Sequence, residues 1–144
     1  MVPFAQDQGI GILPWSPLAG GLLSGKFDLE KPGPEGARRT SFDFPPVDRN
    51  RAIAVLKALR ATSQATGVPV ARIALAWLLT RPFVTSVIIG AKTREQLADN
   101  LAASDVALAP EHIAELDAAS TLPSEYPGWM VEWQGRNRRP ANSL

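Results

Sequence analysis

Only two stretches of this chain read as buried strands, and that shortage limits what it can fold into. GIGILPW (9–15) is a short isoleucine-rich run bounded by Gly9 and Pro14, and TSVIIGA (85–91) is a second β-branched run. Helical patterns lie between them and after the second. Strand, helices, strand, helix is the order that produces parallel sheets. A lone parallel pair leaves both outer edges unpaired, and parallel sheets are normally covered on both faces. The sequence therefore predicts an α/β chain that holds a piece of a larger sheet. Exposed strand edges, and the faces of Ile10, Ile12, Val87 and Ile89, are expected to favour self-association.

The helices announce themselves by their ends. Asp48 is placed to cap a helix over 49–66, with Ala52, Val55, Leu56, Leu59 and Ser63 three or four apart and Gly67 closing it. Pro69 suits a first-turn position for a second helix over 70–81, where ARIALAWLLT is apolar on nearly every face, as for a helix packed on both sides. Pro82 stops it. Thr93 opens a helix over 93–102, with Leu97 and Leu101 as its inward stripe, and Pro110 opens another over 110–119. Residues 16–47 read as a long loop, of the kind that usually carries function. The tail from Leu122 reads as irregular; it contains Trp129, Trp133 and the cluster Arg136, Arg138 and Arg139. A division into a folded part, 1–121, and a tail, 122–144, follows.

Composition removes several functional classes. With 144 residues, 45% hydrophobic and 20% charged, the chain has globular values and room for a sizeable core. A net charge of +1 gives no bulk attraction for nucleic acid or an anionic membrane, and the tail arginines read as solvated. No cysteine and a single histidine, His112, rule out thiol chemistry and multi-histidine metal sites; His112 reads as an exposed structural residue. MVPFAQDQG lacks the features of a signal peptide, and no apolar run approaches the ~20 residues that span a bilayer. A soluble cytoplasmic protein is expected.

Two loops, each following a strand, are candidates for anion binding. PWSPLAGGLLSGK (14–26) offers an aromatic face at Trp15, accessible amides at Ala19, Gly20 and Gly21, and a cation at Lys26. The same residues also suit a purely structural turn. In GAKTREQLADN (90–100), Gly90 opens the loop and Thr93 with Gln96 forms a capping box. Lys92 and Arg94 therefore sit at a helix N-terminus, where cations oppose the helix dipole by roughly 0.3–1 kcal/mol each unless an anion joins them. A solvated helix start is the alternative. Gln96 and Asn100 share a helix face, with Asp99 beside them. Two such loops after two strands favour one extended, phosphate-containing ligand.

GIGILPWSPLAGGLLSGKF, PEGARRTSFDF, ALAWLLTRPFVTSVIIGAKTREQLADNL and EYPGWM together resemble the C-terminal part of aldo-keto reductases. The resemblance implies a (β/α)8 TIM barrel, of which this chain would hold strands 7 and 8, their helices and two extra helices. It implies NADP(H) as cofactor. Trp15 would stack on the nicotinamide, and Ser16, Pro17, Leu18 and Gly20 would follow the pyrophosphate with Lys26 as counter-charge. Arg38 would lie in a flap over the cofactor. Gly90 would open the second loop, Lys92 and Gln96 would meet the 2′-phosphate with support from Arg94, and Asp99 and Asn100 would meet the adenine edge. The family reaction is reduction of aldehydes or ketones to alcohols. Its aspartate, tyrosine, lysine and histidine lie on the first four strands, so the chain holds no catalytic residue, looks truncated, and is expected to be inactive alone. Tyr126 and Trp129 fall where the family has its substrate loop. A non-enzymatic NADP-binding or interaction module, or a non-functional remnant, is the other reading of the same residues.

Overall fold

The computed structural model describes residues 1–27, 35, 39, 42 and 44–135. In chain order they form α1 (Val2–Asp7), a 3₁₀ turn (Ala19–Ser24), α2 (Arg49–Thr66), α3 (Val70–Leu79), α4 (Arg94–Leu101), a 3₁₀ turn (Ala102–Asp105), α5 (Pro110–Ser120) and α6 (Gly128–Gly135).

The two runs read as strands lie side by side and parallel, but among the described residues they do not form a continuous sheet. They meet at one parallel bridge, Ile12 to Val84. The Thr85 amide donates to the Ile12 carbonyl at 2.9 Å and the Ile88 amide to the Pro14 carbonyl at 3.0 Å. One segment thus advances two residues while the other advances three, which is the signature of a bulge. Pro14 has no N–H, so the ladder cannot be extended from that residue either. Burial follows the bulge: Val84, Val87 and Ile89 are half-buried, and Ile10, Leu13 and Ile88 are exposed. Of the four residues whose faces were expected to be uncovered, Ile10 is exposed and Ile12, Val87 and Ile89 are half-buried. Gly11 permits the close approach, because a β-carbon there would stand 2.5 Å from the Thr85 hydroxyl oxygen.

α2 is the spine of the core. Asp48 caps it by accepting from the Arg51 amide, and Gly67 closes it at φ 72°. Its N-terminal half packs Ala52 and Leu56 against Leu22 and Phe27, which the 3₁₀ turn and the residues after it supply. Its C-terminal half packs Leu59 against Ile73 and Ala74 of α3 and Leu116 of α5. Each fully buried leucine or isoleucine contributes roughly 1.5–3 kcal/mol. Ser63, the polar member of the apolar face, donates to the Val68 carbonyl at 2.6 Å and so closes the turn into α3. Four consecutive residues of α3, Ile73 to Ala76, are buried, as a helix packed on more than one side requires. α3 ends at Leu79, two residues short of the predicted 81.

One helix adds to those predicted, and two further expectations are revised. The segment before Gly9 is helical in α1, a helix of six residues too short to show a period. The tail is not irregular throughout, since Gly128–Gly135 is helical. Glycine at both ends and apolar residues on every side hid it. Leu97 and Leu101 are not an inward stripe: both are exposed, and α4 buries none of its residues.

A polar clasp fastens α3 to α5. Arg81 donates to both carboxylate oxygens of Asp117, at 3.1 and 2.7 Å, and its guanidinium lies 4.3 Å over the Trp77 ring. Trp77 Nε1 donates to the same carboxylate at 2.8 Å. The Arg81 hydrogen bond, joined by that from Trp77, holds Asp117 below the ordinary aspartate range. A carboxyl whose value is depressed on folding adds stability that is complete above the unfolded value, about 3.9, and is lost as pH falls through the folded one. The stability of the chain, followed by urea unfolding, should therefore fall more steeply below about pH 4 than that of Asp117→Asn. Parallel curves for the two proteins would contradict this.

Candidate functional site

Parallel pairing sends both segments out at the same end. The chain leaves the first segment at Trp15 and the second at Gly90, so the two candidate loops follow the same end of one bridged pair. A depression of about 590 Å³ lined by Gln6, Gly9, Ile10, Gly11, Pro82, Phe83 and Thr85 lies at the opposite end. It contains none of the candidate residues.

The first loop is tightly wound. Ser16 and Ala19 both take left-handed backbone angles, φ 53° and 48°, which side chains other than glycine adopt at a cost of order 1–2 kcal/mol. The Ala19 amide donates to the Ser16 carbonyl at 2.8 Å and the Gly21 amide to the Leu18 carbonyl at 2.9 Å. The accessible amides expected at Ala19 and Gly21 are thus engaged within the turn. Pro17, Leu18 and Gly20 are half-buried, and Lys26 is exposed with no ion pair among the described residues.

Aromatic rings gather beside this loop. Trp15 is 63% exposed, and its ring stacks on Phe44 with centroids 5.9 Å apart; Phe42 follows at 5.6 Å from Phe44. The Phe44 segment is held by Arg39, which donates to the Ala19 carbonyl at 2.9 Å and to the Pro45 carbonyl at 2.8 Å. Arg38, the residue expected in the flap, lies outside the described residues, as does the tail cluster Arg136, Arg138 and Arg139. Arg39 was not anticipated. Nothing in the sequence separates it from its neighbour.

The second loop is capped as expected, with one change. Thr93 Oγ1 accepts from the Gln96 amide at 3.2 Å, but Gln96 Oε1 accepts from the Lys92 amide at 2.8 Å, one residue before the position that a capping box uses. Asn100 Nδ2 donates to the Gly90 carbonyl at 3.4 Å, tying the loop's start to the helix. Gln96 and Asn100 therefore shape the loop. Lys92 and Arg94 are exposed and make no ion pair among the described residues. Glu95 beside them has its carboxyl lowered from the ordinary range, first by its own backbone N–H and then by the Thr93 hydroxyl. One carboxylate against two cations leaves this helix start positive.

Asp99 is not simply free for a ligand: its Oδ1 accepts from Arg72 Nε at 2.6 Å. Arg72 is a second residue that the sequence reading passed over, although a lone cation in an apolar helix was a visible signal. Other candidates separate from the site. His112 is half-buried, correcting the expected exposure, and its Nδ1 has no hydrogen-bond partner among the described residues. Tyr126 and Trp129 are exposed at the tail. Among the described residues no group of histidine, cysteine and carboxylate side chains could hold a metal, and no helix is long and apolar enough to cross a membrane.

Comparison with known proteins gives consistent results. A family model described as the aldo/keto reductase family matches residues 1–121. An uncharacterized oxidoreductase of Bacillus subtilis is 36% identical over 117 residues, covering 81% of this chain and 34% of the relative. A probable voltage-gated potassium channel subunit beta of Oryza sativa is 32% identical, covering 81% of this chain and 37% of the relative. An L-glyceraldehyde 3-phosphate reductase of Escherichia coli O157:H7 is 32% identical, covering 78% and 34%. The chain spans about a third of the length of these relatives.

The first loop is testable through its tightest point. Gly20 has φ 67°, and a β-carbon there would lie 2.8 Å from the Phe44 carbonyl oxygen. Gly20→Ala should push the Phe44 segment away and break the Trp15–Phe44 stack. The near-ultraviolet circular dichroism should change while the far-ultraviolet helical signal stays. An unaltered near-ultraviolet spectrum would show that the loop tolerates the methyl group.

Proposed function

The chain belongs to the aldo/keto reductase family, a family of oxidoreductases, and we propose that it forms the NADP(H)-binding C-terminal portion of such an enzyme. The observation that supports this reading is the shared exit of the two loops: one with an exposed aromatic ring and a wound, glycine-containing turn, the other with cations that make no ion pair among the described residues, at a capped helix start. Family membership implies a (β/α)8 barrel, in which ligands bind at the C-terminal ends of the strands. On this reading the described pair corresponds to the seventh and eighth strands.

The residues present suit the cofactor. Trp15 has an open face for a flat ring. Ser16, Pro17, Leu18 and Gly20 form the wall along which a pyrophosphate would run, and Lys26 is the cation available near it. Lys92 and Arg94, with the helix dipole behind them, attract a phosphate at the mouth of the second loop. Gln96 and Asn100 hold that loop in shape. NADPH, when bound, supplies the hydride, and the substrate class is an aldehyde or ketone reduced to an alcohol. A proton must then reach the carbonyl oxygen from a general acid. No described residue of this chain is assigned that task.

A second reading has its own support. Relatives of this chain include proteins named as potassium channel beta subunits. Ile10, Leu13 and Ile88 leave apolar surface open beside the bridged pair. A non-enzymatic NADP-binding module, docking or self-associating through that surface, would use the same cofactor loops without the hydride chemistry.

Cofactor choice tests the shared core of both readings. Lys92 meets only the 2′-phosphate, and a charge-assisted contact contributes about 1.5–3 kcal/mol. Lys92→Glu should weaken NADPH by roughly tenfold or more in a calorimetric titration and leave NADH within about twofold. Equal losses for the two cofactors would reject the assignment of Lys92.

A further inference from the structure

Arg72 stands alone as a charged residue in α3, whose other nine positions are apolar. A guanidinium in such a helix is unfavourable unless it is partnered. Its side chain is 34% exposed, and its Nε donates to Asp99 Oδ1 across the junction of α3 and α4. Among the described residues, Asp99 Oδ2 and the two terminal nitrogens of Arg72 make no other hydrogen bond. The pair therefore presents an unused carboxylate acceptor beside a planar fork of unused donors. Its carboxylate belongs to α4, whose first residue is Arg94 and whose N-cap Thr93 follows Lys92.

That pattern has a specific complement. The edge of adenine sets an exocyclic amine, a donor, beside a ring nitrogen, an acceptor. In hypoxanthine the amine is replaced by a carbonyl, so the edge that carries N7 shows two acceptors. A carboxylate oxygen would then face another oxygen with no proton between them. We propose that Arg72 is a specificity-determining residue that selects adenine in the bound nucleotide. It positions Asp99 so that Oδ2 accepts from the 6-amino group, and it offers its own N–H to the neighbouring ring nitrogen. This inference rests on the nucleotide reading above, and adds to it a residue of α3, outside both loops.

The test is a calorimetric titration of the 144-residue chain with NADPH and with its reduced hypoxanthine counterpart. Wild type should prefer NADPH by about tenfold or more, the effect of one charge-assisted hydrogen bond. Arg72→Leu should lower that preference to about twofold, and Arg72→Lys, which keeps the charge but not the fork, should fall between. A merely structural role for Arg72 would weaken both nucleotides alike and leave their ratio unchanged. An unchanged ratio in Arg72→Leu, or in Arg72→Lys should the first variant not fold, overturns the proposal. So does equal affinity of wild type for the two nucleotides, which leaves the nucleotide reading standing. Binding of neither nucleotide to wild type overturns that reading and this proposal together.

Discussion

The parallel contact between Ile12 and Val84 is the constraint on which the rest of the molecule depends. Direction is what matters. Had the segments run antiparallel, the turn after Trp15 and the turn at Gly90 would leave from opposite ends, and no single ligand could meet both. A parallel pair cannot be joined by a tight turn and needs a long crossover. Here α2 and α3 lie in that crossover, and they form the core against α5. The same connection that supplies stability therefore also aligns the two loops.

The packing is one-sided. Buried side chains converge on α2, while Ile10, Leu13 and Ile88 stay open beside the bridged pair. This asymmetry and the short hydrogen-bonded contact have a common physical source. A parallel segment gains its stability from neighbours on both edges and cover on both faces. Among the described residues these two segments have one neighbour each and cover on one side. The helical part is better fastened, through the Arg81–Asp117–Trp77 clasp and through Arg60, which donates to the Phe27 carbonyl at 2.6 Å.

How much of this was legible in the sequence depended on whether a signal was local. Asp48, Gly67 and Thr93 declared helix ends through chemistry within a turn, and each of those ends is where the residues place it. The run at 70–81 declared a buried helix by lacking a polar face. The bulge between the paired segments was not legible, because it depends on register between residues some seventy positions apart. The exposure of Leu97 and Leu101 was hidden for the same reason: periodicity names an apolar stripe but not whether anything covers it. At the site, glycines and cations marked both loops correctly as turns. Arg39 and Arg72, which fix the Phe44 segment and Asp99, act across long separations and left only faint traces.

The two loops should form one site. Backbone amide resonances followed by nuclear magnetic resonance during a titration with NADP+ address this directly. A shared site predicts that Gly20 and Gly21 in the first loop shift together with Lys92, Thr93 and Gln96 in the second, along curves with one midpoint. Shifts confined to a single loop, or two separate midpoints, would contradict it.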